Sequence, residues 1–256
     1  MTISQQSTPH GFRQRFVAGE RLFGTFVKTP TPHPIEILGD VGFDFVVIDE
    51  EHAPFDRGTI DIAVLAARAA DIIALVRVSS IGSILSALDC GAEGILVPHV
   101  SSLAKAKEVV AASRYRNGHR GYSASGRSGR YGGTASWPYI DAQDEKVTVI
   151  AMIEDPAAVE HISDIVAVEG LDGFFVGRGD LSVALGASDS RAPQVTDAVQ
   201  KISDAARAVG KPVVVMANSR EEGDAFAHMG ASAFILSTDQ GLLRKAASQI
   251  LKDFRS

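Results

Sequence analysis

A single cysteine, Cys90, stands in 256 residues, so no internal disulfide and no thiolate metal cluster can form, and the chain suits a reducing compartment. No apolar run approaches the roughly 18 residues that a membrane helix needs. The first residues, MTISQQSTPH, lack the basic stretch followed by an apolar one that marks a secretion signal, and a cytoplasmic location is expected. Basic excess is missing too. With 25 Lys and Arg against 31 Asp and Glu the formal charge is −6, which gives neither nucleic acid nor an anionic membrane a field to bind to. What is present is 45% apolar and 22% charged residues, the balance of an ordinary globular protein. The length fits a single α/β barrel.

Eight short β-branched or aromatic runs recur: Leu22–Val27, Phe45–Asp49, Ile73–Val78, Gly94–Pro98, Val147–Glu154, Gly173–Gly177, Pro212–Ala217 and Ala233–Ser237. Most are apolar throughout, as parallel strands buried on both faces should be. Ala-rich segments with helical spacing lie between them, including Asp56–Ala70, Ser101–Ser113, Asp155–Val168 and Pro193–Val209. Asp155-Pro156 reads as an N-cap and first-turn proline, and Gly91, Gly170, Gly210 and Gly230 as residues just past helix ends. Strand then helix, eight times, closes most economically as a (β/α)8 barrel, with an open doubly wound sheet as the rival. Residues 1–15 read as a flexible tail and 16–256 as one domain. Arg114–Lys146, rich in Gly, Ser and Arg, reads as one long irregular loop, functional or subunit-contacting. Its arginines Arg114, Arg116, Arg120, Arg127 and Arg130 could grip an anion, though a solvated or contacting loop suits most of them better.

Barrel active sites lie at the C-terminal ends of the strands. Those ends carry Asp49 through His52, Arg77, His99, Glu154, Gly177 through Asp180, Asn218, and Ser237 through Asp239. Glu154 and Asp180, from neighbouring strands, would either share a proton or hold a hard divalent cation. Two carboxylates without a thiolate or histidine pattern favour Mg2+ or Mn2+ over structural zinc. Asp180 reads equally well as a helix cap. His52 is either a proton shuttle or a surface histidine. Arg77 is fitted to stabilise an oxyanion, or else to pair with a rim carboxylate. Lys28 near the end of the first strand has no lysine on the other strand ends to accompany it, which disfavours Schiff-base chemistry.

These residues resemble the HpcH/HpaI family of metal-dependent, class II pyruvate aldolases, which cleave 4-hydroxy-2-oxo acids. The resemblance is carried by Gly42 through Pro54, Val76-Arg77, Leu96-Val97-Pro98, Arg120-Gly121, Ile153-Glu154, Gly170 through Gly177 and Asp180-Leu181-Ser182, from about Phe16 to the C-terminus. It implies a TIM barrel of the phosphoenolpyruvate/pyruvate-domain type, and a homohexamer of three dimers that exchange their last helix. It implies a reversible cleavage to pyruvate, or a related 2-oxo acid, and an aldehyde, through an enolate held at a divalent cation. Glu154 and Asp180 would hold Mg2+ or Mn2+, with Co2+ or Zn2+ as alternatives. The backbone N–H groups of Gly179 and Asp180 would take the pyruvate carboxylate. Arg77 would stabilise the enolate oxygen and His52 would be the base. Asp89 would raise that base's pKa, and Asp49 would support metal-bound waters or orient His52. A malyl- or citramalyl-CoA-type thioester lyase and a non-catalytic 2-oxo-acid binder are the alternatives. The chain departs from the family pattern at Arg178, usually Pro, at Met152, usually Gln, and at Val78-Ser79-Ser80. Arg178 at the rim is therefore expected to recognise a second carboxylate on the substrate.

Overall fold

In a computed structural model of the chain, which describes residues 11–134 and 136–255, eight parallel strands pair in sequence order and close β8 onto β1. The elements are α1 (Phe12–Val17), β1 (Leu22–Val27), α2 (His33–Val41), β2 (Phe45–Asp49), α3 (Arg57–Ala69), β3 (Ile73–Arg77), α4 (Ile84–Asp89), β4 (Gly94–Val97) and α5 (Leu103–Ser113). They continue as α6 (Ser136–Lys146), β5 (Thr148–Ile153), α7 (Pro156–Glu160), α8 (Ile162–Val166), β6 (Gly173–Val176), α9 (Arg178–Ala184), α10 (Pro193–Ala208), β7 (Val213–Met216), α11 (Arg220–Met229), β8 (Ala231–Thr238) and α12 (Asp239–Arg255). The (β/α)8 expectation holds, and the open-sheet rival falls with the closure. No helix among the described residues is long and apolar enough to cross a membrane.

The strands are apolar on both faces because each face has its own core. Alternate residues such as Val46, Ile48, Val76, Ile95, Val97 and Ile153 pack outward against the helices. The other parity, including Phe26, Phe45, Val47, Leu75, Leu96 and Met152, fills the barrel. The helix α1 closes the floor of that interior: Phe12 and Phe16 stack on one another with centroids 5.7 Å apart, and Phe12 meets Phe45. The tail expected over 1–15 therefore gives way to helix by Phe12, whose ring is buried. Residues 1–10 lie outside the described residues.

Helix ends follow the sequence signals in most places. Asp56 and Thr59 form a reciprocal capping box on α3, and Gly91, Gly170, Gly210 and Gly230 have positive φ. Two expectations are corrected. Asp155 holds the N-cap position with Pro156 following it, but its side chain makes no cap hydrogen bond, and the helix expected over Asp155–Val168 is broken at His161 into α7 and α8. The backbone turns there (φ −99°, ψ 17°), which lets Ala158, Ile162, Ile165 and Val166 all face the core.

Arg114–Lys146 is also less irregular than expected, since it ends in α6. Three of its arginines are structural ties. Arg127 grips Asp61 at 2.6 Å, and Arg120 lies over the Tyr115 ring. Buried Arg114 donates to the Val147 carbonyl at 2.7 Å and pairs with Asp172 at 3.1 Å. Asp172 also accepts from Arg13 and from the Val149 N–H, so one carboxylate joins the N-terminal helix, the loop and β5. Removing one partner of such a buried pair strands the other charge. Asp172→Ala is expected to destabilise the fold by roughly 3–5 kcal/mol, read from urea denaturation. A loss below about 1 kcal/mol would show that water replaces the carboxylate.

Candidate active site

The barrel-filling parity, carried two residues further, leads to polar side chains at one rim. Phe26 is followed by Lys28, Val47 by Asp49, Leu75 by Arg77, Met152 by Glu154 and Met216 by Asn218. A cavity of about 300 Å³ opens among them, with Lys28, Arg77, Met152, Gly179, Asp180 and Asn218 in its wall. Two of its wall residues, Arg77 and Lys28, hold Asp49, and a third, Gly177, lies against Glu154.

Asp49 is wholly buried, and three elements meet on it. Arg77 grips it with a two-pronged contact, Nε to Oδ1 at 2.8 Å and Nη2 to Oδ2 at 2.7 Å. Lys28 Nζ lies 3.0 Å from Oδ2, and the His52 backbone N–H donates to Oδ1. Burial would push the Asp49 carboxyl up, but the hydrogen bonds and charge of Arg77, with His52 and Lys28, outweigh it and hold the group below the usual carboxylate range. Arg77 also stacks on Phe26, 4.7 Å from the ring centre, and its Nη1 lies 3.3 Å from Glu51 Oε2. The same Glu51 oxygen is 3.7 Å from His52 Nε2. In the sequence Glu51 stood out only as part of the acidic run, and Lys28 only as an unaccompanied Schiff-base candidate. Their signal was there, in the acidic run ahead of His52 and in the inward parity of Lys28.

Glu154 stands just past the end of β5. It is 2% exposed, and burial pushes its carboxyl up to about 7, with Asp180 and Glu51 adding to the rise and His99 opposing it. Its Oε1 accepts the His99 backbone N–H at 2.7 Å. His99 reaches that position with φ +54°, a left-handed conformation that costs a non-glycine residue energy. Its ring Nδ1 lies 3.3 Å from the Asp155 carboxylate, which is turned to it rather than to the α7 backbone. Gly177 is needed beside Glu154: a Cβ there would stand 2.6 Å from the Glu154 Cβ and 2.7 Å from its Oε2. Asp180 is not the cap of its helix; Gly177 holds that position without a side chain, and Asp180 sits in the first turn of α9.

Asp49, Arg77, Glu154, Gly179 and Asp180 are thus gathered at one rim, and His52 stands outside the cavity wall with its side chain 58% exposed. Asp89 pairs with Arg120 at 3.5 Å, and within the chain it makes no ion pair with His52 among the described residues. Asp49 holds the main chain of His52 rather than its ring. Arg178 does not offer a free charge to a substrate: it is buried, with Nη1 2.9 Å from Glu222 and Nη2 donating to the Met216 carbonyl.

The HpcH/HpaI aldolase/citrate lyase family matches residues 22–246. A 5-keto-4-deoxy-D-glucarate aldolase of Escherichia coli O6:H1 is 32% identical over 251 residues, spanning 96% of this chain and 97% of its own. One from Enterobacter sp. strain 638 is 30% identical over 257 residues, 99% and 100% of the two chains. Among solved structures, the citrate synthase SbnG superposes with a TM-score of 0.87 at 34% identity, covering 96% of this chain and 97% of that one. An HpcH/HpaI aldolase/citrate lyase family protein from Burkholderia cenocepacia J2315 does so with a TM-score of 0.90 at 28% identity, covering 95% and 98%. A family match over nearly the whole chain, shared with relatives of equal length, makes this protein a member of the HpcH/HpaI aldolase/citrate lyase family and an aldolase-type carbon–carbon lyase.

Proposed function

We propose that the chain is a divalent-metal-dependent aldolase that reversibly cleaves a 4-hydroxy-2-oxo acid into pyruvate, or a related 2-oxo acid, and an aldehyde. The observation that carries this reading is Glu154, a buried carboxylate beside Asp180 with no lysine or arginine in ion-pairing reach among the described residues. A carboxylate desolvated in that way fits a site made for a cation. Among the described residues no group of three or more His, Cys, Asp or Glu side chains is arranged to hold a metal. Two carboxylates suit instead an ion that completes its shell with water and substrate, as Mg2+ or Mn2+ does.

Glu154 and Asp180 would hold the ion, whose charge, when bound, would ease formation of an enolate from the 2-oxo acid. The first-turn N–H groups at Gly179 and Asp180, which no side chain caps, would take the acid's carboxylate. Arg77 keeps N–H groups beyond those that Asp49 uses and would meet the oxygen on which negative charge develops. His52 would accept the proton of the 4-hydroxyl as the C3–C4 bond breaks. The bond's electrons pass to the 2-oxo oxygen, the aldehyde leaves, and protonation at C3 gives the methyl group. Asp49 acts as a positioning residue for both groups.

An assembly of more than one chain belongs to the same reading. The final helix α12 buries none of its residues, and Leu243, Ile250, Leu251 and Phe254 are all at least half exposed. A cavity of about 770 Å³ between β8, β1 and α11, walled in part by Phe23, Phe234 and Leu236, offers an apolar seat for the same helix of a second copy.

Deuterium exchange of the pyruvate methyl group in D2O tests the chemistry. Exchange is expected with Mg2+ or Mn2+ and should stop with EDTA; exchange indifferent to chelation would remove the metal. Arg77→Ala should slow it by about 10²–10³-fold, whereas His52→Ala should lose most cleavage and keep pyruvate binding.

The raised Glu154 pKa gives a second test. Its neutral form is favoured in the fold, so its contribution to stability is full below about pH 4.5 and is lost as pH rises through about 7. Metal-free Glu154→Gln should therefore melt at or above the wild-type temperature at pH 8, and added Mn2+ should raise the wild-type melting point only. A Mn2+ shift that survives in the variant would take Glu154 out of the ion site.

Sedimentation should find an oligomer that Phe254→Asp with Leu251→Asp weakens. A wild-type monomer at micromolar concentration would end the helix-exchange reading.

A further inference from the structure

A second cavity, of about 310 Å³, adjoins the one over Arg77 and Asp180, and the two share Ser190 and Asn218 in their walls. Between them runs a network tied to Arg178. Its guanidinium lies over the Phe226 ring at 4.5 Å, reaches Glu222 Oε1 at 2.9 Å, and is buried. Glu222 Oε2 accepts twice from Asn218, from the backbone N–H at 2.7 Å and from Nδ2 at 3.2 Å. A carboxylate can only accept, so Nδ2 must face Glu222 and the amide carbonyl Oδ1 is the free end. Ser219, next along, accepts the Glu222 N–H, and its own O–H is engaged by the Glu221 carboxylate.

We propose that Asn218, oriented by Glu222 and Arg178, is the acceptor-side specificity determinant, and that the aldehyde it selects carries a hydroxyl group beside its carbonyl. The inference rests on the aldolase reading and names the acceptor class for the same site. Arg178 and Glu222 cancel one another's charge, so that wall of the mouth carries a hydroxyl-accepting carbonyl where a lone arginine would have drawn a carboxylate. A hydroxyl donor satisfies Oδ1; an alkyl group leaves it desolvated and unpaired, and a carboxylate faces both Oδ1 and Glu222. Arg191, the other charge in the second cavity's wall, is 81% exposed and lies 3.8 Å from Asp189, so water and its partner screen it.

The experiment is aldol addition to pyruvate with three acceptors of similar size: glycolaldehyde, propionaldehyde and glyoxylate. Intrinsic reactivity cancels when the kcat/KM ratio of two acceptors is compared between variant and wild type. Asn218→Ala should lower the glycolaldehyde-to-propionaldehyde ratio about tenfold, the worth of one hydrogen bond. Glu222→Gln, which leaves the Arg178 charge unbalanced, should raise glyoxylate over glycolaldehyde by about the same factor. Ratios within about twofold of wild type in both variants overturn the assignment. Metal-dependent exchange of the pyruvate methyl group in the wild type separates the two claims. Exchange with unmoved ratios sinks only the acceptor assignment, and no exchange with either metal sinks the aldolase reading along with it.

Discussion

Asp49 is the charge around which the mouth of this barrel is arranged. A carboxylate with no exposure to water survives as an anion only if cations and N–H donors replace its hydration. The replacements come from β1, from β3 and from the turn beyond β2, in the form of Lys28, Arg77 and the His52 backbone. One group therefore fixes the ends of three neighbouring strands at hydrogen-bonding precision. It also leaves the cationic side chains on one flank of the cavity and the carboxylates Glu154 and Asp180 on another. A small 2-oxo acid, with negative charge at one end and an electrophilic carbonyl next to it, is the kind of molecule such an opposition orients.

Much of this was legible in the sequence because the barrel interior and the site share one parity. Strand ends could be located from eight apolar runs, and Asp49 and Arg77 end their strands while Glu154 directly follows its own. The parity itself was hidden, because strands buried on both faces show no alternation. It becomes visible only once Phe45, Val47, Leu75 and Met152 are seen inside and Val46, Ile48 and Val76 outside. That is why Lys28, one step past Phe26 in the same register, was weighed only for Schiff-base chemistry.

What stayed hidden in the sequence has a common origin in long-range pairing. Arg114 and Arg178 looked like free cations because their partners, Asp172 and Glu222, lie far along the chain. Asp89 was assigned to His52 through a family pattern, while within the chain its carboxylate meets an arginine from the loop after α5. Charge type can be read locally; which charges neutralise each other depends on the closed barrel. The same limit applied to Glu51, whose position between Arg77 and His52 follows from a turn that no spacing rule describes.

The left-handed backbone at His99 has a consequence of its own. Its N–H is the donor that holds Glu154 Oε1, and the residue keeps an unfavourable conformation to deliver it. The turn after β4 is therefore a spring loaded against a single carboxylate oxygen. Any event that draws electron density from that oxygen slackens the bond, and the amide is free to relax. The His99 amide resonance is accordingly a built-in gauge of what Glu154 is doing, readable without substrate and without turnover.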